Sequence, residues 1–431
     1  MLIEFKVKNF RSIRDQQTFS LVAANSDKTL PDCVIDKPLK GLSGIQFLRG
    51  AAIYGANASG KSNVLLALLY LSDLVETSAT DLKPGDPTGA EPFKLDPEFA
   101  SKPSEFEVTF ETDGIRYTYA IAVAAQRVVE EYLYAYPKGL PQCWCYRTYN
   151  DTTEAYEWEK PSAAFKRDVK LQEYTKENSL FLSVGAQFNH EQLTAVFNWF
   201  KSKLRFVHLG ADDLGISPGT TLSLLEEQGN HDRILALLRS ADIGITDIET
   251  TESELDIESI RAKIPPSVLS RILAKRENGK LVETQINLLH MNATSQPVAM
   301  DYEEEESSGT RRFFSLIGPW LDTLEKGYTV FIDEIDTSLH PLLVRALLKL
   351  LLCAKNNPNG AQVVFTTHNP VLLDLALLRR DQIWFTEKDG LGATHLYPLT
   401  DYKPRDKEAI AKRYLAGVYG GIPDLMEGLK L

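Results

Sequence analysis

The chain has 431 residues, room for two or three domains' worth of core, and its 43% hydrophobic and 25% charged residues are the balance of an ordinary globular protein. A formal net charge of −12 argues against a general nucleic-acid coat protein while leaving room for a local basic face. Cys33, Cys143, Cys145 and Cys353 stand without a second Cys or His pair at zinc spacing, and no apolar run reaches membrane-spanning length. The cysteines read as thiols in a reducing cytoplasm, and the expected location is cytoplasmic with no membrane partner.

Residues 2–8 alternate as a half-buried strand without a signal-peptide pattern, closed by Asn9-Phe10-Arg11-Ser12-Ile13, and residues 18–22 look like the hairpin partner. Pro31, Pro38, Gly41 and Gly44 mark residues 25–44 as a loop. A short buried strand over 50–54 then leads into Gly55-Ala56-Asn57-Ala58-Ser59-Gly60-Lys61-Ser62-Asn63, and residues 64–71 continue as a helix ending near Glu76. This fits G-x-x-x-x-G-K-[ST] in the strand–loop–helix setting that the pattern requires. Its glycines let backbone N–H groups turn inward around phosphate oxygens, with the helix N-terminus adding partial positive charge. Lys61 would reach the β- and γ-phosphates and Ser62 would hold Mg²⁺. A chance glycine turn is the bland alternative, and the downstream parts of the same site argue against it.

Residues 80–104 read as a connector. Residues 105–111 and 117–123 alternate with period two around the turn Thr112-Asp113-Gly114, and 128–136 and 143–149 continue the meander. An antiparallel sheet over about 105–160, packed on the first strands, is expected. Helical apolar spacing follows at 190–200, 222–225 and 231–238, with a loop over 206–219 and a strand or hairpin edge at 281–289. No heptad repeat is sustained, so no long coiled-coil arm is expected. From Ser307 the pattern is α/β: helix 308–325, strand 329–333, helix 341–352, strand 362–366, short strands 383–386 and 395–399, and a closing helix 407–415. Alternation on both sides of the middle predicts one ATPase lobe built from both chain ends. The expected fold class is α/β, a P-loop NTPase with an antiparallel β subdomain and a helical insertion. Its parts are 1–79 with the phosphate loop, 80–185 mainly antiparallel β, 186–300 a helical or mixed insertion, and 301–431 completing the lobe.

Phe331-Ile332-Asp333-Glu334 is an apolar strand ending in two carboxylates, the Walker B pattern. Asp333 would bind Mg²⁺, and Glu334 would orient and deprotonate the attacking water. Ile335-Asp336-Thr337-Ser338-Leu339-His340-Pro341 follows, and the strand 362–366 runs into Thr366-Thr367-His368-Asn369-Pro370. That order resembles ABC-type ATPases of the RecF and SMC branch. The closer resemblance is to stand-alone bacterial AAA15/AAA21-type ATPases, among them the ATPase lobes of OLD nucleases, RloA-like proteins and the ATPase subunits of antiphage systems. Asn9-Phe10-Arg11-Ser12 matches the first strand of the branch, and residues 413–423 resemble the tail of the stand-alone group. The likeness is specific over roughly 1–75 and 300–425 and loose over 80–300.

Position by position, the resemblance implies that Asp336 lies in a D-loop crossing to a partner subunit and that His368 is the switch histidine at the γ-phosphate. It sets Ser307-Ser308-Gly309-Thr310 where the family has its signature motif, matched in part, with Ser308 and Gly309 as its core and a plain helix N-cap as the alternative. Arg11 would approach the phosphates, against a surface arginine as the alternative. Gln187, in an expected strand over 180–189, would be the Q-loop glutamine. His340-Pro341 reads as the opening of a helix. The basic clusters at 166–167, 201–205, 311–312 and 379–380 read as solvated faces, with nucleic-acid contact as the alternative. No separate nuclease constellation is visible, and residues after 400 are too few for a Toprim domain.

The implied function is Mg²⁺-dependent ATP binding and hydrolysis by a sensor or regulatory subunit of an antiphage system. Its implied partners are a second copy of the chain across the nucleotide and a separate effector such as a nuclease, with DNA as a further candidate. A RecF-like DNA-repair ATPase and a nucleotide-gated scaffold with very slow hydrolysis are the rivals.

Overall fold

The period-two stretches of the N-terminal half join one antiparallel sheet in the computed structural model, which describes residues 1–207, 209, 218–227, 229–254, 282–405 and 408–423. Its seven strands run in the order Ala155–Trp158, Gln142–Asn150, Val128–Tyr136, Ile115–Val123, Ser104–Thr112, Leu2–Lys8, Gln17–Ser20. The first strands are therefore not a layer beneath the meander: Leu2–Lys8 is hydrogen-bonded on both edges, to Gln17–Ser20 and to Ser104–Thr112. Alternation decides the two faces. Phe5, Val7, Phe106, Val108, Phe110 and Tyr119 are buried, while Lys6–Glu107 and Lys8–Glu105 pair at 2.8 Å on the opposite face. Helices Lys61–Thr77 and Glu191–Lys203 pack on the buried face, where Trp199 stacks on Phe110 with ring centroids 3.9 Å apart.

A second sheet of six strands has the order Leu204–Val207, Thr329–Ile332, Gln362–Thr367, Gly50–Gly55, Ile383–Lys388, Thr394–Pro398. The first five are mutually parallel, and only the last is antiparallel. Thr329–Ile332, Gln362–Thr367 and Gly50–Gly55 are buried throughout, which is why they read as continuous apolar runs rather than as alternation. Both ends of the chain supply this sheet, and Leu204–Val207 adds an edge strand from the middle.

Residues 206 and 207, expected to open a loop over 206–219, end strand Leu204–Val207, and residues 208 and 210–217 of that loop lie outside the described residues. Two further elements differ from their sequence expectation. The expected strand over 180–189 is helix Phe181–Gln187. Its apolar run fits either period, and a buried carboxylate decides: Glu131 accepts from the N–H groups of Phe181 (2.8 Å) and Leu182 (3.0 Å), capping a helix start. Glu131 also pairs with Arg147 at 2.8 Å, both side chains fully buried. The closing helix is Ile410–Leu415, shorter than expected, and residue 407 of that prediction lies outside the described residues.

The chain divides into two units, Met1–Gly215 with Leu321–Leu431, and Ile216–Trp320. The second contains helices Gly219–Glu226 and Asn230–Ser240 and a three-stranded sheet with Val282–Met291 between Ile245–Glu254 and Pro297–Asp301. Most of helix Ser308–Lys326 also belongs to it. Gly318 permits close helix packing there, since a Cβ would stand 2.4 Å from the backbone N of Thr221.

Candidate functional site

The parallel strands point their carboxyl ends to one edge of the sheet, where open α/β folds place ligands. Gly50–Gly55 ends there in the glycine loop, and helix Lys61–Thr77 leaves from it. Two glycines are required sterically. A Cβ on Gly55 would stand 2.4 Å from the hydroxyls of both Ser59 and Thr386, and Gly60, at φ +102°, would drive one to 2.1 Å from Thr394 Oγ1. Ser59 and Thr386 hydroxyls are hydrogen-bonded at 2.6 Å, and Thr394 Oγ1 donates to Ser59 O at 3.0 Å. Asn57 and Ala58 form the exposed tip, with Ala56 half-buried behind it. The helix starts on Gly60 without a side-chain cap, so its first N–H groups meet no side-chain acceptor there. Such a cradle, with an uncapped helix start, suits a phosphate.

Lys61 is 7% exposed and donates from Nζ to the carbonyls of Gly55 and Ala56, both at 3.0 Å. Burial lowers its pKa below the usual lysine value, and the nearby charges of Asp333, Glu334 and Asp336 work against that shift. The structure thus brings Lys61 and the three predicted carboxylates within one electrostatic neighbourhood. Ser62 follows in the first turn, half-buried. Mg²⁺ is usually held by one or two protein ligands together with phosphates and water. One carboxylate, Asp333, and one hydroxyl, Ser62, fit that requirement, and among the described residues no group of three or more His, Cys, Asp and Glu could hold a metal ion alone.

The carboxylates are fixed by a pair of threonines absent from the expected set. Thr366 Oγ1 donates to Asp333 Oδ1 and accepts from Glu334 N–H at 2.8 Å, while Thr367 Oγ1 donates to Asp336 Oδ1 at 2.7 Å. Glu334 sits at φ +47°, a left-handed conformation uncommon for glutamate. Its side chain is exposed and accepts from Thr337 Oγ1 at 3.3 Å. His368 follows Thr367 directly and is exposed at the same end of its strand. His340 is the N-cap of helix Pro341–Leu352, its ring accepting from Leu342 N–H at 3.3 Å, in the structural role expected of it.

Arg11 stands on the flank of the loop, its guanidinium bonded to Glu91 at 2.8 Å. Its neighbour Ser12, missed by sequence reasoning, is in direct contact with the loop's surroundings: Asn63 Nδ2 donates to Ser12 Oγ at 2.6 Å, and Ser12 Oγ lies 2.7 Å from Thr394 Oγ1. The tail reaches the loop too. Tyr414 packs edge-on against Tyr54 and donates to Gly421 O at 3.0 Å, and a Cβ on Gly421 would stand 3.5 Å from Gly55 Cα.

Gln187 is not brought to this site. It is the exposed last residue of its helix, and Ser183, one turn earlier, donates to Val75 O. Val75 is fourteen residues along the helix that starts at Lys61, about 20 Å at 1.5 Å per residue. The strand that ends beside the carboxylates is Leu204–Val207, whose Val207 O accepts from Asp333 N–H at 3.1 Å. Ser308 and Gly309 open the first turn of helix Ser308–Lys326 in the second unit, and Ser307 Oγ accepts from Thr310 N–H at 3.1 Å as a cap.

A phosphate loop and a Walker-type carboxylate strand, separated by one strand in a parallel sheet, define a P-loop ATPase lobe. The chain belongs to the family described as "AAA domain, putative AbiEii toxin, Type IV TA system", which matches residues 51–192 and 246–374. No curated protein matches its sequence. Solved structures similar to it include the SMC head domain from Thermotoga maritima, at 14% identity over 92% of this chain and 98% of that one, TM-score 0.39. Another is the Smc head domain with an extended coiled coil bound to the C-terminal domain of ScpA from Pyrococcus furiosus, at 13% identity over 97% and 99%, TM-score 0.41. A third is the recombination mediator protein RecF-ATPrS in the RecFOR pathway, at 12% identity over 92% and 98%, TM-score 0.34. Among the described residues no helix is long and apolar enough to cross a membrane.

Proposed function

We propose that the chain binds Mg·ATP and hydrolyses it. The observation that carries this reading is the shared electrostatic neighbourhood of buried Lys61 with Asp333, Glu334 and Asp336 beside a glycine cradle. Lys61 and the loop N–H groups would bind the phosphates, with Ser62 and Asp333 holding Mg²⁺, which when bound neutralises phosphate charge. Glu334 orients the attacking water and accepts its proton as the water oxygen bonds to the γ-phosphorus and the bridging oxygen leaves with ADP. His368, exposed at the end of the central strand, contacts the γ-phosphate, and Arg11 lies on the flank of the loop.

Two copies sandwich the nucleotide in this reading, each site capped by the other's Ser308-Gly309 turn and Asp336 loop. The protein serves as the sensor or regulatory ATPase of an antiphage system with a separate effector such as a nuclease. The motif order and the partial signature support the sandwich.

The test is a mixture of Lys61→Ala and Ser308→Arg proteins. Each alone is expected to be nearly inactive, since both composite sites are damaged. Half of the dimers in an equal mixture are mixed and keep one intact site, so the mixture is expected to recover at most roughly a quarter of wild-type turnover. Static light scattering reports ATP-dependent dimerisation in parallel. A protein that stays monomeric with ATP and shows no complementation would refute the sandwich, and absence of Mg²⁺-dependent ATP turnover in the wild type would refute the enzymatic reading.

A further inference from the structure

We propose that Thr366 is the positioning residue of the hydrolytic carboxylates: one buried hydroxyl sets both the Mg²⁺ ligand Asp333 and the backbone of Glu334. This rests on the Mg·ATP reading above. Thr366 is fully buried at the carboxyl end of strand Gln362–Thr367. A hydroxyl has a single proton to give. Here that proton goes to Asp333 Oδ1, so the N–H of Glu334 meets an oxygen lone pair, at 2.8 Å. The next residue is tied to the same threonine, with Ile335 N–H bonded to Thr366 O at 3.2 Å. Three consecutive residues, 333 to 335, thus hang on Thr366, through a side chain, a backbone amide and a second backbone amide in turn.

The geometry explains why a threonine is needed. Glu334 holds φ +47°, which a glutamate does not adopt without support. The hydroxyl supplies that support while turning the Asp333 carboxylate by engaging Oδ1. Valine has the same shape and can do neither. Its methyl groups would leave the Glu334 amide without its acceptor and Asp333 free to rotate. Serine keeps the hydroxyl on the same bond. Thr367, equally buried, bonds Asp336 on the opposite face of the strand and touches neither Asp333 nor the Glu334 amide in this way.

The experiment compares wild type, Thr366→Val and Thr366→Ser by calorimetric titration of ATP in EDTA and across a Mg²⁺ series. Single-turnover hydrolysis is measured on the same proteins. For Thr366→Val the affinity in EDTA is expected to stay within about twofold of wild type, because Lys61 and the loop are untouched. The Mg²⁺ concentration that half-maximally strengthens ATP binding is expected to rise about tenfold or more, the usual effect of removing a partner of a metal-binding carboxylate. Hydrolysis at saturating Mg²⁺ should fall by at least the same factor. Thr366→Ser should restore both quantities to within about threefold of wild type. Thr366→Ala gives the same readout without added methyl contacts if the valine variant fails to fold. A folded Thr366→Val or Thr366→Ala protein with the wild-type Mg²⁺ half-point and turnover would overturn the proposal. So would a serine variant as impaired as valine. If wild-type ATP binding itself ignores Mg²⁺, it is the Mg·ATP reading that fails, a result distinct from a variant matching a responsive wild type.

Discussion

Replacing Lys61 with alanine removes the buried ammonium from the centre of the site. In the free protein that ammonium makes two bonds of 3.0 Å, to Gly55 O and Ala56 O. Phosphate oxygens would replace these neutral acceptors with charged ones, and a hydrogen bond to a charged group contributes about 1.5–3 kcal/mol net. Losing two such contacts, about 3–6 kcal/mol, less the two carbonyl bonds already present at about 1 kcal/mol each, gives a loss of about 1–4 kcal/mol. That is a fall in ATP affinity of roughly 5- to 800-fold. The fold should survive, because the alanine also relieves the burial cost that lowers the pKa of Lys61. The same argument fixes a pH dependence. The free-state pKa lies below the ordinary lysine value and phosphate raises it, so binding is at full strength below the free-state pKa and weakens as pH rises through it. Wild-type affinity should therefore decline toward alkaline pH sooner than an ordinary lysine would dictate, and that decline should be absent from Lys61→Ala. Calorimetric titration of ATP between pH 7 and about 10.5, the lysine reference, with circular dichroism to verify folding, measures both. A folded Lys61→Ala protein binding ATP within about threefold of wild type would refute the loop assignment, a difference too small for even one lost charged hydrogen bond.

Two further substitutions separate chemistry from architecture. Glu334→Gln fills the same space with a poor base; it should keep ATP affinity, cut single-turnover hydrolysis by about 10²–10⁴-fold and accumulate the ATP-bound dimer in light scattering. Turnover at the wild-type rate would remove Glu334 from the chemistry. Glu131→Ala strands the fully buried Arg147 and uncaps the amides of Phe181 and Leu182. It should destabilise the larger unit by about 3–5 kcal/mol, read as a lowered urea midpoint, and an unchanged midpoint would show that this pair is not needed for the fold.

The parts of the site that sequence reasoning found are those whose chemistry is contiguous. The loop from Gly55 to Ser62 is a contiguous pattern, and Gly60 at φ +102° sits where the local backbone itself demands glycine. Asp333 and Glu334 end an apolar run, and His340-Pro341 announces a helix start through local backbone restriction. The α/β alternation of the last third was legible for the same reason: buried parallel strands are uninterrupted apolar runs, and nearly every element from 308 onward lies within a few residues of its expected place.

What pairing across long separations decides was not legible. The sequence alone puts Gln187 in a strand because a run such as Phe181-Leu182-Ser183-Val184 satisfies either period, and only the buried carboxylate of Glu131, fifty residues away, makes it a helix. Ser12, Thr386 and Thr394 bear on the loop or its flank from up to 335 residues away, and Thr366 holds Asp333 across 33. Threonines at strand ends carry no pattern that marks them as partners of a carboxylate. By itself the sequence determined which residues could handle phosphate and water, because that chemistry depends on residue type and short spacing. The tertiary structure alone decided which hydroxyls hold those residues in place and which expected partner lies some 20 Å along a helix. Sheet order is set by burying whole strands against one another, and neighbours in that order need not be neighbours in the chain.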